Sequence, residues 1–120
     1  PSIHRYGSKY ATLAMDYNFY FNHGKVDDPG KLKTLEQWTY RSYFGAFREL
    51  YRSNRAPLIL GSHFATWNDG VYNRALARTL RRACTMPEVA CVDFITLARW
   101  LDRQPAATRE QWQAGAFPRA

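Results

Sequence analysis

The chain has 120 residues, 46% of them hydrophobic and 16% aromatic, enough apolar material for one domain with a core, which excludes a disordered polymer. Seventeen Lys and Arg against ten Asp and Glu give a net charge of +7. The excess is arginine dispersed along helical patterns without a basic tail, so a nucleic-acid binder ranks last among the functional readings.

No run is apolar and long enough to span a membrane, and no secretory signal pattern is present. The first residue is Pro1, as expected of a processed start or of the downstream piece of a longer polypeptide. Tyr10 to Met15 reads as a short strand that stops at the carboxylate of Asp16. An irregular, aromatic segment follows, with Tyr17, Phe19, Tyr20 and Phe21, and then a turn at Asp27-Asp28-Pro29-Gly30. The two aspartates follow no apolar strand, so a solvated turn is expected of them rather than a metal site.

Thr34 and Gln37 have capping-box spacing ahead of a helix that carries Trp38, Phe44, Phe47, Leu50 and Tyr51 inward and runs to about Ser53. Pro57 introduces a buried strand, Leu58 to Leu60, that delivers Gly61-Ser62-His63 at its C-terminal end. A second helix is expected from about Gly70 to Cys84, with Val71, Ala75, Leu76, Thr79, Leu80 and Ala83 as its apolar stripe. Val89 to Val92 reads as a third strand, and Asp93 or Thr96 caps a last helix through Leu97, Trp100 and Leu101. Residues 105–120 read as a poorly ordered tail. The alternation predicts an α/β fold of short parallel strands and helices, part of a larger layer.

In such a sheet, residues that end neighbouring strands meet at one rim, so Asp16 could accept the ring N–H of His63, hold its tautomer and make it a general acid. The plainer alternative is a histidine satisfied by a backbone carbonyl. His4, His23 and His63 include no pair at one-turn spacing, and no Gly-x-Ser-x-Gly elbow or phosphate loop is present. Cys84 and Cys91 flank Pro87; a disulfide there would rigidify the joint and imply an oxidising compartment, while two reduced thiols fit the cytosol. The aromatic residues, Phe64 and Trp67 included, suit either stacking on sugar rings or a core.

The run Leu58-Ile59-Leu60-Gly61-Ser62-His63-Phe64, with Trp67-Asn68-Asp69-Gly70-Val71-Tyr72, Cys84, Pro87-Glu88-Val89, Cys91-Val92-Asp93-Phe94 and Leu97-Ala98-Arg99-Trp100-Leu101, resembles the C-terminal part of bacterial polysaccharide deacetylase-like proteins, the NodB-homology carbohydrate esterases. Ala14-Met15-Asp16-Tyr17-Asn18-Phe19-Tyr20 fits the same group, so the likeness covers about residues 10 to 103 and assigns 1–104 to that domain. The resemblance implies part of a distorted (β/α) barrel and a hydrolase of carbohydrate metabolism that removes N- or O-acetyl groups from a glycan with a divalent metal, zinc. It casts His63 as the general acid and Asp16 as the carboxylate that orients it. Leu60 is cast as part of the apolar wall for the acetyl methyl, and Phe64, Trp67 and Tyr17, from the aromatic cluster, are the further candidates for substrate binding.

The family has one residue between the strand leucine and this histidine, where Gly61 and Ser62 stand here. Its Thr-Phe-Asp-Asp and His-x-x-x-His segments, which supply the base and the metal ligands, do not occur in these residues. No metal ligand is therefore expected in this chain, and activity is expected only with the N-terminal part of the same barrel as partner. For a full-length parent the expected location is periplasmic or secreted. A non-catalytic glycan-binding or interaction module is the alternative.

Overall fold

Leu35, Thr39, Ser42 and Tyr43 fall on one face of a helix, Val71, Tyr72, Ala75 and Thr79 on one face of another, and the two helices pack together. The computed structural model describes residues 2–4 and 11–117, with side chains from residue 14 onward. Its elements are β1 (Ser2–His4), β2 (Ala11–Leu13), α1 (Asp16–Asn22), α2 (Leu32–Arg52), α3 (Trp67–Ala83), α4 (Phe94–Asp102) and α5 (Ala106–Gln113).

Phe19 from α1, Leu35 and Tyr43 from α2, and Val71 and Tyr72 from α3 make the main core cluster. Each of the large side chains contributes about 1.5–3 kcal/mol by leaving water. Thr39 and Thr79 are buried as well, and their hydroxyls donate back to the carbonyls of Leu35 and Ala75, at 2.8 Å in both cases. A second cluster of Tyr40, Phe44 and Ala75 is roofed by arginines of α3, with Arg78 3.9 Å above the Tyr40 ring and Arg82 4.3 Å above that of Phe44. These cations therefore cover aromatic faces instead of forming a free basic stripe.

The expected α/β architecture does not form; the structure is predominantly helical. Two three-residue strands pair antiparallel, with Ser2 opposite Leu13 and His4 opposite Ala11, and the only parallel pairing among the described residues is a single bridge between Met15 and Gly61. Parallel strands need cover on both faces, and the candidate strands lack it. Leu58–Leu60 has Ile59 41% exposed, and Val89–Val92 is unpaired with Val92 51% exposed. Tyr10 of the first expected strand lies outside the described residues.

Other boundaries shift for local reasons. The segment after Met15, read as irregular, is helix α1, anchored by the fully buried Phe19. Helix α2 starts ahead of Thr34 because a 3-10 turn at Pro29–Lys31 feeds it. Asp28 caps that turn through Gly30 N–H at 3.1 Å and pairs with Lys31 at 3.0 Å. Asp93 caps α4 by accepting Thr96 N–H at 2.7 Å.

Residues read as a tail carry α5, whose Trp112 stacks on Trp100 of α4 at 5.5 Å; residues 118–120 lie outside the described residues. Neither α4 nor α5 contributes a buried residue. Their arm is tied to the body by the Cys84–Cys91 disulfide, by Tyr51 Oη donating to the Pro87 carbonyl at 3.3 Å, and by an Arg55–Glu88 contact of 3.7 Å. The arm lengthens the molecule to 51 × 27 × 23 Å, and the radius of gyration is 15.7 Å. A compact chain of this length would have about 13.6 Å.

Candidate functional site

Asp16 opens α1, and His63 lies in the extended segment between α2 and α3; one main-chain contact brings them together. The N–H of Gly61 donates to the Ala14 carbonyl at 2.9 Å, which makes the parallel bridge beside Met15. A Cβ on Gly61 would come within 3.1 Å of Met15 Cε, so a larger residue here requires the methionine side chain to shift by a few tenths of an ångström.

His63 Nδ1 then stands 2.7 Å from Asp16 Oδ1, and the His63 backbone N–H donates to Oδ2 at 2.8 Å. Tyr17 N–H donates to Oδ1 at 2.8 Å, and the Ser62 hydroxyl lies 3.3 Å from Oδ2. The carboxylate side chain is 2% exposed and the imidazole 54%. Burying a carboxylate is costly unless donors surround it, and here donors reach both oxygens. A carboxylate accepts only, so the network assigns the hydrogen to Nδ1 and leaves Nε2 as the working atom of the half-exposed ring.

Two aromatic rings flank that imidazole. Tyr17 and Trp67 meet it edge-on at centroid distances of 6.2 and 6.0 Å, and they lie 5.6 Å from each other. Tyr20 stacks flat on Trp67 at 4.9 Å and fixes its plane.

Trp67 owes its position to a left-handed turn. Asn68, Asp69 and Gly70 have φ of 49°, 55° and 69°, and regular helix resumes at Val71. Left-handed backbone costs about 1–2 kcal/mol for a residue with a Cβ, and Asn, Asp and Gly are the types that tolerate it. Buried Asn68 offsets the strain. Its N–H donates to Asp27 Oδ1 and its Oδ1 accepts Asp28 N–H, both at 2.7 Å, while Nδ2 donates to Tyr72 Oη at 3.0 Å and more weakly to the Val26 carbonyl at 3.4 Å. The loop at Asp27-Asp28 is thereby stapled under the aromatic wall. The Lys31 ammonium, hydrogen-bonded to Asp28, holds that carboxyl below its ordinary range.

Of the residues expected at a site, the structure groups Asp16, His63, Tyr17 and Trp67. Leu60 instead packs against the main core, and Phe64 is 77% exposed and stands apart from the ring cluster. Cys84 and Cys91 form a disulfide with Cα atoms 5.6 Å apart. Ser62, Asn68 and Asn73 complete the surroundings and were not anticipated there; for Asn68 the turn-forming run Asn-Asp-Gly was a usable signal.

Among the described residues no group of three or more His, Cys, Asp or Glu side chains is placed to hold a metal ion. Asp16 is engaged with His63 Nδ1, so among the described residues the divalent ion of the resembled family finds no set of three ligands. Compared with family models, curated proteins and solved structures, the chain matches none.

Proposed function

We propose that these residues supply the general-acid side of a hydrolytic site that removes N- or O-acetyl groups from a glycan, as the C-terminal part of a polysaccharide deacetylase-like protein. The carrying observation is the 2.7 Å contact between buried Asp16 and His63 Nδ1, with the rest of the ring accessible beside Tyr17 and Trp67. When the acetyl C–N or C–O bond breaks, the departing sugar atom keeps the electron pair and needs a proton. The charged imidazole donates it from Nε2, and Asp16 keeps Nδ1–H in place before and after transfer. A placed general acid is worth about 10²–10⁴ in rate. Tyr17 and Trp67 present flat apolar surface to the C–H face of a pyranose. Activation of the attacking water falls to groups outside the described residues.

The test is acetate release from an N-acetylglucosamine oligomer by the polypeptide that carries these residues. His63→Ala lowers turnover by about 10²–10⁴ while metal content stays the same; unchanged turnover removes the assignment. The aromatic wall favours one other reading, a glycan-binding surface without chemistry. It predicts oligomer binding that survives His63→Ala, and no acetate from the unaltered protein.

A further inference from the structure

The hydroxyl of Ser62 stands between two acceptors with one proton to give. Its Oγ is 2.9 Å from Asn73 Oδ1 and 3.3 Å from Asp16 Oδ2, and it accepts the Phe64 N–H at 3.0 Å. The Asn73 amide is oriented by its own donation from Nδ2 to the Ala65 carbonyl at 2.9 Å, so its oxygen is the atom that faces the serine. A hydroxyl donates once, so at any moment one acceptor goes without.

We propose that Ser62 and Asn73 are a positioning pair that sets how tightly Asp16 holds His63. With the serine proton on Asn73, the carboxylate keeps three donors, from Tyr17 N–H, His63 N–H and His63 Nδ1; turned to Asp16, the proton becomes the fourth. Each added donor disperses the carboxylate charge and weakens its grip on the imidazole N–H. Both distances are within hydrogen-bond reach, so the proton divides its time between the two acceptors, with Asn73 the nearer. Rotation about one C–O bond is all the change requires, and the pair links α3, the extended segment and α1. The catalytic consequence rests on the reading above; the hydrogen-bond consequence does not.

The experiment reads the His63 Nδ1–H proton resonance in the full chain, where a stronger bond to Asp16 moves the signal downfield. Ser62→Ala removes the optional donor and shifts it downfield. Asn73→Ala leaves the serine proton no acceptor but Asp16 and shifts it upfield. Ser62→Ala leaves the Asn73 amide and its bond to Ala65 in place, which preserves the test if the Asn73 variant does not fold. Ser62→Thr retains the hydroxyl and restores the unaltered position. Shifts of one sign in Ser62→Ala and Asn73→Ala, or none in either folded variant, overturn the proposal. Acetate release tests the other reading separately: the shifts can occur in an inactive chain, and a deacetylase lacking them keeps its function and loses this pair.

Discussion

Nδ1 of His63 and Oδ1 of Asp16 stand 2.7 Å apart across 47 residues of sequence, so a carboxylate at the start of one helix decides which nitrogen of a distant ring bears hydrogen. Asp16→Asn replaces an acceptor-only group with one that must point its NH₂ at the ring or at the donors of residues 62 and 63. Stability falls by about 2–3 kcal/mol, read from the denaturant midpoint. The share of ring carrying its hydrogen on Nε2 rises, read from the ring nitrogen shifts. An unaltered tautomer balance would show that Asp16 does not hold the ring.

Asn68 is the staple of the left-handed turn. Asn68→Ala strands the Asp28 N–H and leaves an alanine at φ 49°. The expected loss is about 2–4 kcal/mol, with Trp67 fluorescence changing as the ring loses its fixed place. Asp69→Gly, one residue on, relieves the same backbone strain at an exposed position and stays within about 0.5 kcal/mol of the parent. Equal effects at the two positions would mean that the buried amide is not what holds the turn.

Burial pushes the Tyr72 hydroxyl up to about 12, against a weaker lowering by its Asn68 hydrogen bond, and pushes that of Tyr43 higher still, with the Asp16 charge adding to it. Unfolded tyrosine ionises near pH 10, about two units below folded Tyr72. Above that pH the unfolded chain binds fewer protons than the folded one, so stability is full below about pH 10 and declines as pH rises toward the folded values. Absorbance at 295 nm will show Tyr43 and Tyr72 ionising well above pH 10 while the chain is folded. Tyr43 Oη has no hydrogen-bond partner among the described residues, so Tyr43→Phe is neutral or stabilising by about 1 kcal/mol at pH 7 and softens the alkaline decline.

The disulfide is the covalent tie of an arm that adds nothing to the core. Replacing Cys84 and Cys91 together by serine lowers the free energy of opening the arm by about 2 kcal/mol. Amide hydrogen exchange will show α4 and α5 losing protection while α2 and α3 keep theirs. Uniform loss across all helices would show that the arm and the body unfold together.

Both long helices were legible because Val71, Ala75 and Thr79, or Phe44 and its neighbours, recur at helical spacing. Layer architecture was not. Leu58–Leu60 and Val89–Val92 have strand-like composition, but a strand exists only through its partner, and pattern alone does not reveal that the first is followed by a single bridge at Gly61 and the second by none. Helix α1 escaped notice because its seven residues show no apolar period and depend on the burial of Phe19. Asp16 and His63 stood out because each closes an apolar run. Ser62 and Asn73 did not, since their roles arise from three segments meeting in space.

The single bridge at Gly61 also fixes the spacing to His63. Ser62 and His63 both turn their side chains onto Asp16, so adding or removing one residue between Gly61 and His63 would carry the imidazole about 3.3 Å along the chain and off that carboxylate. A change of length in the connection at residues 53–57, ahead of the bridge, would leave the alignment intact. This site can therefore absorb insertions at residues 53–57 and none between Gly61 and His63.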